Sequence, residues 1–140
     1  MSPNITILCD NPNSTLVSSI RPAKLDERLT STSENEPFVL DIRPESAFES
    51  GAIDRSHNVP VYTELRRGNE SALRDRLGDI PTDRDVVVVC KMGVVAKRAT
   101  KILDGEGYEA ATLLGGMSGW TGYQNGSLVY RLRSLLWRLS

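Results

Sequence analysis

Asp85-Val86-Val87-Val88-Val89-Cys90-Lys91-Met92-Gly93-Val94-Val95-Ala96 is the stretch from which the fold can be read. Four consecutive valines suit a strand buried on both faces, as inside a parallel sheet. The run stops at a cysteine, a glycine follows three residues later, and a helical pattern then begins. Strand, tight loop and helix N-terminus in that order set the sulfur before free backbone N–H groups and the positive end of a helix dipole. Negative charge on sulfur is stabilised there, and an anionic substrate is drawn to it. The stretch predicts chemistry as well as packing.

Working outward, Val95, Ala99, Ile102 and Leu103 fall on one face of an amphipathic helix, with Lys97, Arg98, Lys101 and Asp104 on the other. Gly107 suits the C′ position, with Tyr108 folding back on the last turn. Ala110 to Leu114 reads as a short strand that Gly115-Gly116 turns into the next segment. Upstream, Phe38-Val39-Leu40-Asp41-Ile42 is a second strand, and Pro44 to Glu49 a short helix closed by Gly51. Pro22 to Leu29 and Glu70 to Leu77 are predicted helices, and Ile53 to Val61 an extended piece ending at Pro60. Ile5 to Cys9 could add an edge strand. Alternating strands and helices predict an α/β fold with a mostly parallel central sheet flanked by helices. The expected organisation is an N-terminal extension (1–19), one domain (20–125) and a C-terminal amphipathic helix (126–140). In that helix Leu128, Val129, Leu132, Leu135, Leu136 and Leu139 form a stripe beside Arg131, Arg133 and Arg138. The stripe needs a cover: its own domain, a partner in a homodimer, or a membrane surface.

At 140 residues, with 25% charged and 39% apolar residues, the chain suits one soluble domain. A net charge of −1 offers no bulk attraction to nucleic acid. Two cysteines, Cys9 and Cys90, share no motif, so a disulfide framework is not expected and a reducing, cytoplasmic setting is. Residues 1–15 lack a basic start and continuous apolar run, so no secretory signal is expected. No stretch has the ~18–20 apolar residues of a membrane span. One histidine, His57, without a cysteine cluster predicts no metal site. His57 reads as structural, Trp120 as closing the core, and Cys9 as an ordinary thiol with a resolving role as the alternative.

Several segments, in order, are similar to the rhodanese-like domain family. Ile20-Arg21-Pro22-Ala23-Lys24-Leu25 resembles its opening helix start, and Asp41-Ile42-Arg43-Pro44-Glu45-Ser46-Ala47-Phe48 its Asp-Val-Arg segment. Asn58-Val59-Pro60 resembles its Asn-Ile-Pro piece, Cys90 to Ala96 its active-site loop, and Leu114-Gly115-Gly116-Met117-Ser118-Gly119-Trp120 its closing Gly-Gly-x-x-x-Trp signature. The likeness spans residues 20–122. There are departures: Ala52 stands where many members have His, Val95 where an Arg is frequent, and Lys91 where Arg is common.

The resemblance implies a sulfurtransferase that carries sulfane sulfur as a Cys90 persulfide. Sulfur would pass from thiosulfate or a persulfide donor to a thiol or cyanide acceptor, which can itself be a protein, with no cofactor. The backbone N–H groups of Lys91, Met92, Gly93, Val94, Val95 and Ala96 would hold the anion, with Lys91 recruiting it. Lys97 and Arg98 are solvated unless they turn inward. Asp41 and Arg43 would either contact substrate or pair with each other to hold the loop. A regulatory or binding module that keeps the fold without turnover is the alternative. Cysteine-dependent phosphatases and arsenate reductases need Cys-x5-Arg to clamp an oxyanion. The sixth residue after Cys90 is Ala96, and Arg98 comes two positions late, which disfavours that chemistry.

Overall fold

The computed structural model describes residues 18–31 and 35–126. The expected Ile5–Cys9 strand, Cys9 and the leucine-striped segment 128–139 lie outside the described residues.

β4 (Val86–Val89) is central because its neighbours, β2 (Phe38–Asp41) and β5 (Ala110–Leu113), complete its hydrogen bonding on both edges. With β1 (Ser19–Ile20) and β3 (His57–Asn58) outermost, the order is β1-β5-β4-β2-β3, with every pairing parallel. All four valines are fully buried. Side chains alternate across the pleat, so Val86 and Val88 enter one apolar cluster and Val87 and Val89 the other. Each such burial stabilises by about 1.5–3 kcal/mol, which makes β4 the axis of the domain.

The first cluster lies under α3 (Tyr62–Arg66), α4 (Ser71–Arg74) and α5 (Val95–Gly105). The second lies under α1 (Pro22–Thr30) and α6 (116–126), through Leu25 and Trp120. Pro22 opens α1, where its missing N–H costs nothing. α5 ends in a Schellman turn: Gly107 has φ +92°, its N–H donates to Asp104 O (3.1 Å), and that of Tyr108 to Leu103 O (3.0 Å).

Three segments differ from expectation. Glu70 to Leu77 is not one helix but α4 followed by a 3-10 turn at Leu77–Asp79. Leu73 and Ile80 both enter the core, and the Tyr108 hydroxyl donates to Leu77 O and Ile80 O. Tyr62–Arg66 is helical but buries only Leu65, too little for a periodic signal. For α6 the sequence predicts a turn at Gly115-Gly116 and a core-closing Trp120 but no helix, because Gly116, Gly119 and Gly122 weaken helix propensity. Tertiary contacts override propensity there: Trp120 is 6% exposed, and the Tyr123 hydroxyl donates to Asp26 Oδ2 on α1 (2.8 Å).

The C-terminal ends of β2, β4 and β5 open on the same edge, where parallel α/β sheets assemble their sites. α2 (Glu45–Ser50) flanks that edge.

Candidate active site

Cys90 is the first residue past β4, and four loop residues separate it from α5. The loop curls because Gly93 takes φ +87°, disfavoured for residues with a Cβ. The N–H groups of Gly93 and Ala96 consequently donate to Cys90 Sγ, at 3.1 and 3.4 Å. Both dipoles point at the sulfur and, with the N-terminus of α5, stabilise negative charge on it. Cys90 itself is 1% exposed.

The loop is held from behind by main chain. Met117 N donates to Cys90 O (2.8 Å) and Ser118 N to Lys91 O (3.0 Å), so the loop carbonyls satisfy the first amides of α6. This requires two backbones to touch. A Cβ on Gly116 would run into Cys90 O and lie 2.7 Å from both Lys91 C and O. One on Gly93 would meet Leu113 O and Gly115 N at 3.2 Å. The two adjacent glycines after a strand are the sequence signal of this approach, which neither a turn nor the closing signature they belong to spells out by itself.

The residues expected to bind substrate divide into groups. Gly93 and Ala96 present amides to the sulfur. Met92 and Val94 send their side chains outward, at 57% and 69% exposed. Val95 is buried in the apolar cluster beneath α5, so its side chain is part of the core and does not face an anion. Lys91 is exposed and lines a groove beside the cysteine.

Asp41 and Arg43 pair with each other. Asp41 Oδ1 accepts from Arg43 N and Nε (3.0 Å each), and Oδ2 accepts from Nη2 (2.8 Å). Arg43 Nη2 also donates to Gly51 O (2.7 Å), tying the end of β2 to the end of α2. Asn58 Nδ2 donates to the Asp41 and Arg43 carbonyls (2.9 Å each). The pair is buried and neutral as a unit, so Lys91 is the groove-lining cation without an ion-pair partner among the described residues.

Arg98 donates to Leu65 O (3.0 Å) and Arg66 O, so it ties α5 to α3 away from the sulfur. His57 stacks on Phe38 with ring centroids 4.4 Å apart, a packing role. The groove, about 970 Å³, runs between α2 and α6 past Ala47, Ala52, Tyr62, Lys91, Met117 and Thr121. Ala52, the departure noted above, leaves its wall apolar there.

A family model for the rhodanese-like domain matches residues 22–123. The chain belongs to the rhodanese-like domain family. This rhodanese-like chain is 28% identical over 105 residues to thiosulfate sulfurtransferase GlpE of Shewanella oneidensis, covering 74% of its own length and 95% of that protein. It is 30% identical over 89 residues to adenylyltransferase and sulfurtransferase MOCS3-1 of Zea mays, covering 62% of itself but only 19% of that longer protein. Among solved structures it resembles a rhodanese-related protein from Thermoplasma volcanium, with TM-score 0.61, 26% identity and coverage of 75% and 91% of the two chains. The parallel sheet and flanking helices are thus those of rhodanese-like domains. No helix among the described residues is long and apolar enough to cross a membrane.

Proposed function

We propose that this chain transfers sulfane sulfur through a persulfide on Cys90. The single observation that carries the reading is the pair of amides, from Gly93 and Ala96, aimed at Cys90 Sγ where β4 meets α5. In the first half-reaction the Cys90 thiolate attacks the outer sulfur of thiosulfate. The S–S bond of the donor breaks, its electron pair leaves with sulfite, and the enzyme keeps Cys90–S–S⁻. In the second, cyanide or an acceptor thiolate attacks the terminal sulfur, giving thiocyanate or an acceptor persulfide and regenerating the thiolate. A persulfide donor serves in place of thiosulfate, releasing a thiolate where thiosulfate releases sulfite. This is ping-pong covalent catalysis on the Cys90 sulfur. The loop amides stabilise the anionic sulfur at each stage, Lys91 draws the donor anion in, and the Asp41–Arg43 pair positions the loop's neighbour without touching substrate.

The test is intact mass after incubation with thiosulfate. A gain of one sulfur, ~32 Da, that cyanide removes and that Cys90→Ser lacks is the expected result. A chain that gains no sulfur from thiosulfate or from a persulfide donor is instead a binding module.

A further inference from the structure

Two charged side chains line the groove beside Cys90, Arg43 and Lys91. Arg43 is neutralised by Asp41 within a buried pair, so Lys91 alone offers a positive charge. Val95 adds none, because its side chain lies in the core, and Arg98 is tied to the Leu65 carbonyl on α3. One cation balances one negative charge. Thiosulfate carries two, and the second would lie unpaired against apolar walls, which is costly. Glu45 and Glu49, exposed on α2, add repulsion for a dianion.

The size and walls of the groove point the same way. At about 970 Å³ it is far larger than thiosulfate. Sites that take whole organic ligands span roughly 300–1,000 Å³ and are lined mainly by apolar side chains with a few polar ones. Here Pro44, Ala47, Ala52, Tyr62 and Met117 supply the apolar lining. Tyr62 packs against one core cluster and Met117 against the other, so these walls are held by the core before any ligand arrives. We propose that the groove selects a sulfane-sulfur donor with one negative charge and an apolar organic body, R–S–S⁻ or R–SO2–S⁻, over thiosulfate. The inference rests on the Cys90 persulfide reading. The Cys90 thiolate attacks the outer sulfur and a new S–S bond forms. The bond joining that sulfur to the rest of the donor breaks, and its electron pair leaves with R–S⁻ or R–SO2⁻. Lys91 pairs with the single charge of the donor, and the body R lies between α2 and α6.

Sulfur loading of the full chain is measured by rapid-quench intact mass, with Cys90→Ser as background. The donors are thiosulfate, methanethiosulfonate, benzenethiosulfonate and benzyl persulfide. Each rate is divided by that of the same donor with 2-mercaptoethanol, a neutral thiol, which removes intrinsic reactivity. On that scale benzenethiosulfonate should exceed methanethiosulfonate about tenfold or more, as burial of most of a phenyl ring allows, and thiosulfate should be slowest. The faster of benzenethiosulfonate and benzyl persulfide identifies the head group; both slower than thiosulfate overturns the proposal. Ala47→Trp, which fills the groove, should lower the phenyl-to-methyl ratio about threefold or more. Ala52→Arg, which adds a second cation, should raise thiosulfate relative to methanethiosulfonate by about threefold. Each ratio is taken within one protein, so a misfolded fraction cancels. A phenyl-to-methyl ratio near one, or ratios that neither substitution moves, overturns the proposal. Loading from every donor without discrimination defeats the donor assignment alone, whereas loading from none defeats the Cys90 persulfide reading itself.

Discussion

Gly116→Ala tests whether the main-chain contact behind the loop sets the position of the nucleophile. Gly116 has φ +57°, where an alanine costs about 1–2 kcal/mol. Its new methyl would collide with Cys90 O and the Lys91 peptide, both main chain and unable to rotate aside. Relief requires the start of α6 to withdraw, which stretches the Met117–Cys90 and Ser118–Lys91 hydrogen bonds. At about 0.5–1.5 kcal/mol each, their loss brings the total to about 2–5 kcal/mol. The loop then loses its backing, and an ~1 Å displacement of a reacting group costs ~100-fold in rate. Urea unfolding followed by tryptophan fluorescence gives the stability change, and rapid-quench mass spectrometry gives the rate of sulfur loading. Gly122→Ala is the control, since nothing lies within 4 Å of its Cβ and its φ is not positive. It should be neutral or stabilising by up to about 1 kcal/mol. A Gly116→Ala protein with wild-type stability and loading rate would refute the reasoning.

Three further outcomes follow from the same geometry. Asp41→Ala leaves the Arg43 guanidinium buried without its carboxylate and should destabilise by about 3–5 kcal/mol in urea; a smaller loss than 1 kcal/mol would mean that Arg43 finds water. Lys91→Gln should raise KM for thiosulfate about two- to fivefold, flatten its dependence on ionic strength and leave kcat nearly unchanged. An equal fall in kcat would place the lysine in the transition state instead. Val88→Ala removes buried methyl groups from the central strand, and equilibrium unfolding should show a loss of about 2 kcal/mol with no change in the rate of sulfur loading per folded molecule.

What could be read from the sequence tracks how locally each feature is encoded. Four valines in register with two neighbours need no further information to be central, and the cysteine, glycine and helix that follow fix where the sulfur sits. Gly107 and Tyr108 likewise specify their turn within a few residues. α6 is the opposite case. Its glycines lower its own propensity, and Gly116 and Gly119 are required by close contacts with Cys90, Lys91 and Leu114, which are distant in sequence or hidden in a turn. The two-residue strand Ser19–Ile20 is too short for any alternation to appear. Asp41 and Arg43 share one side of the chain by spacing, but only the Gly51 carbonyl at the end of α2 completes the reason why they pair inward. Val95 shows the limit of reading a loop by position. A side chain at the start of α5 turns either to the ligand or to the core, and an apolar one goes to the core.

The loop divides its work between main chain and side chains. Its amides serve the sulfur and its carbonyls bind α6, whereas the side chains of Lys91, Met92 and Val94 point outward and take no part in either. Those three positions are therefore free to drift or be redesigned without moving the nucleophile. A library restricted to them would change which donor docks while leaving the reactive sulfur in place. In this architecture reactivity is inherited through glycines, and selectivity is written in the residues between them.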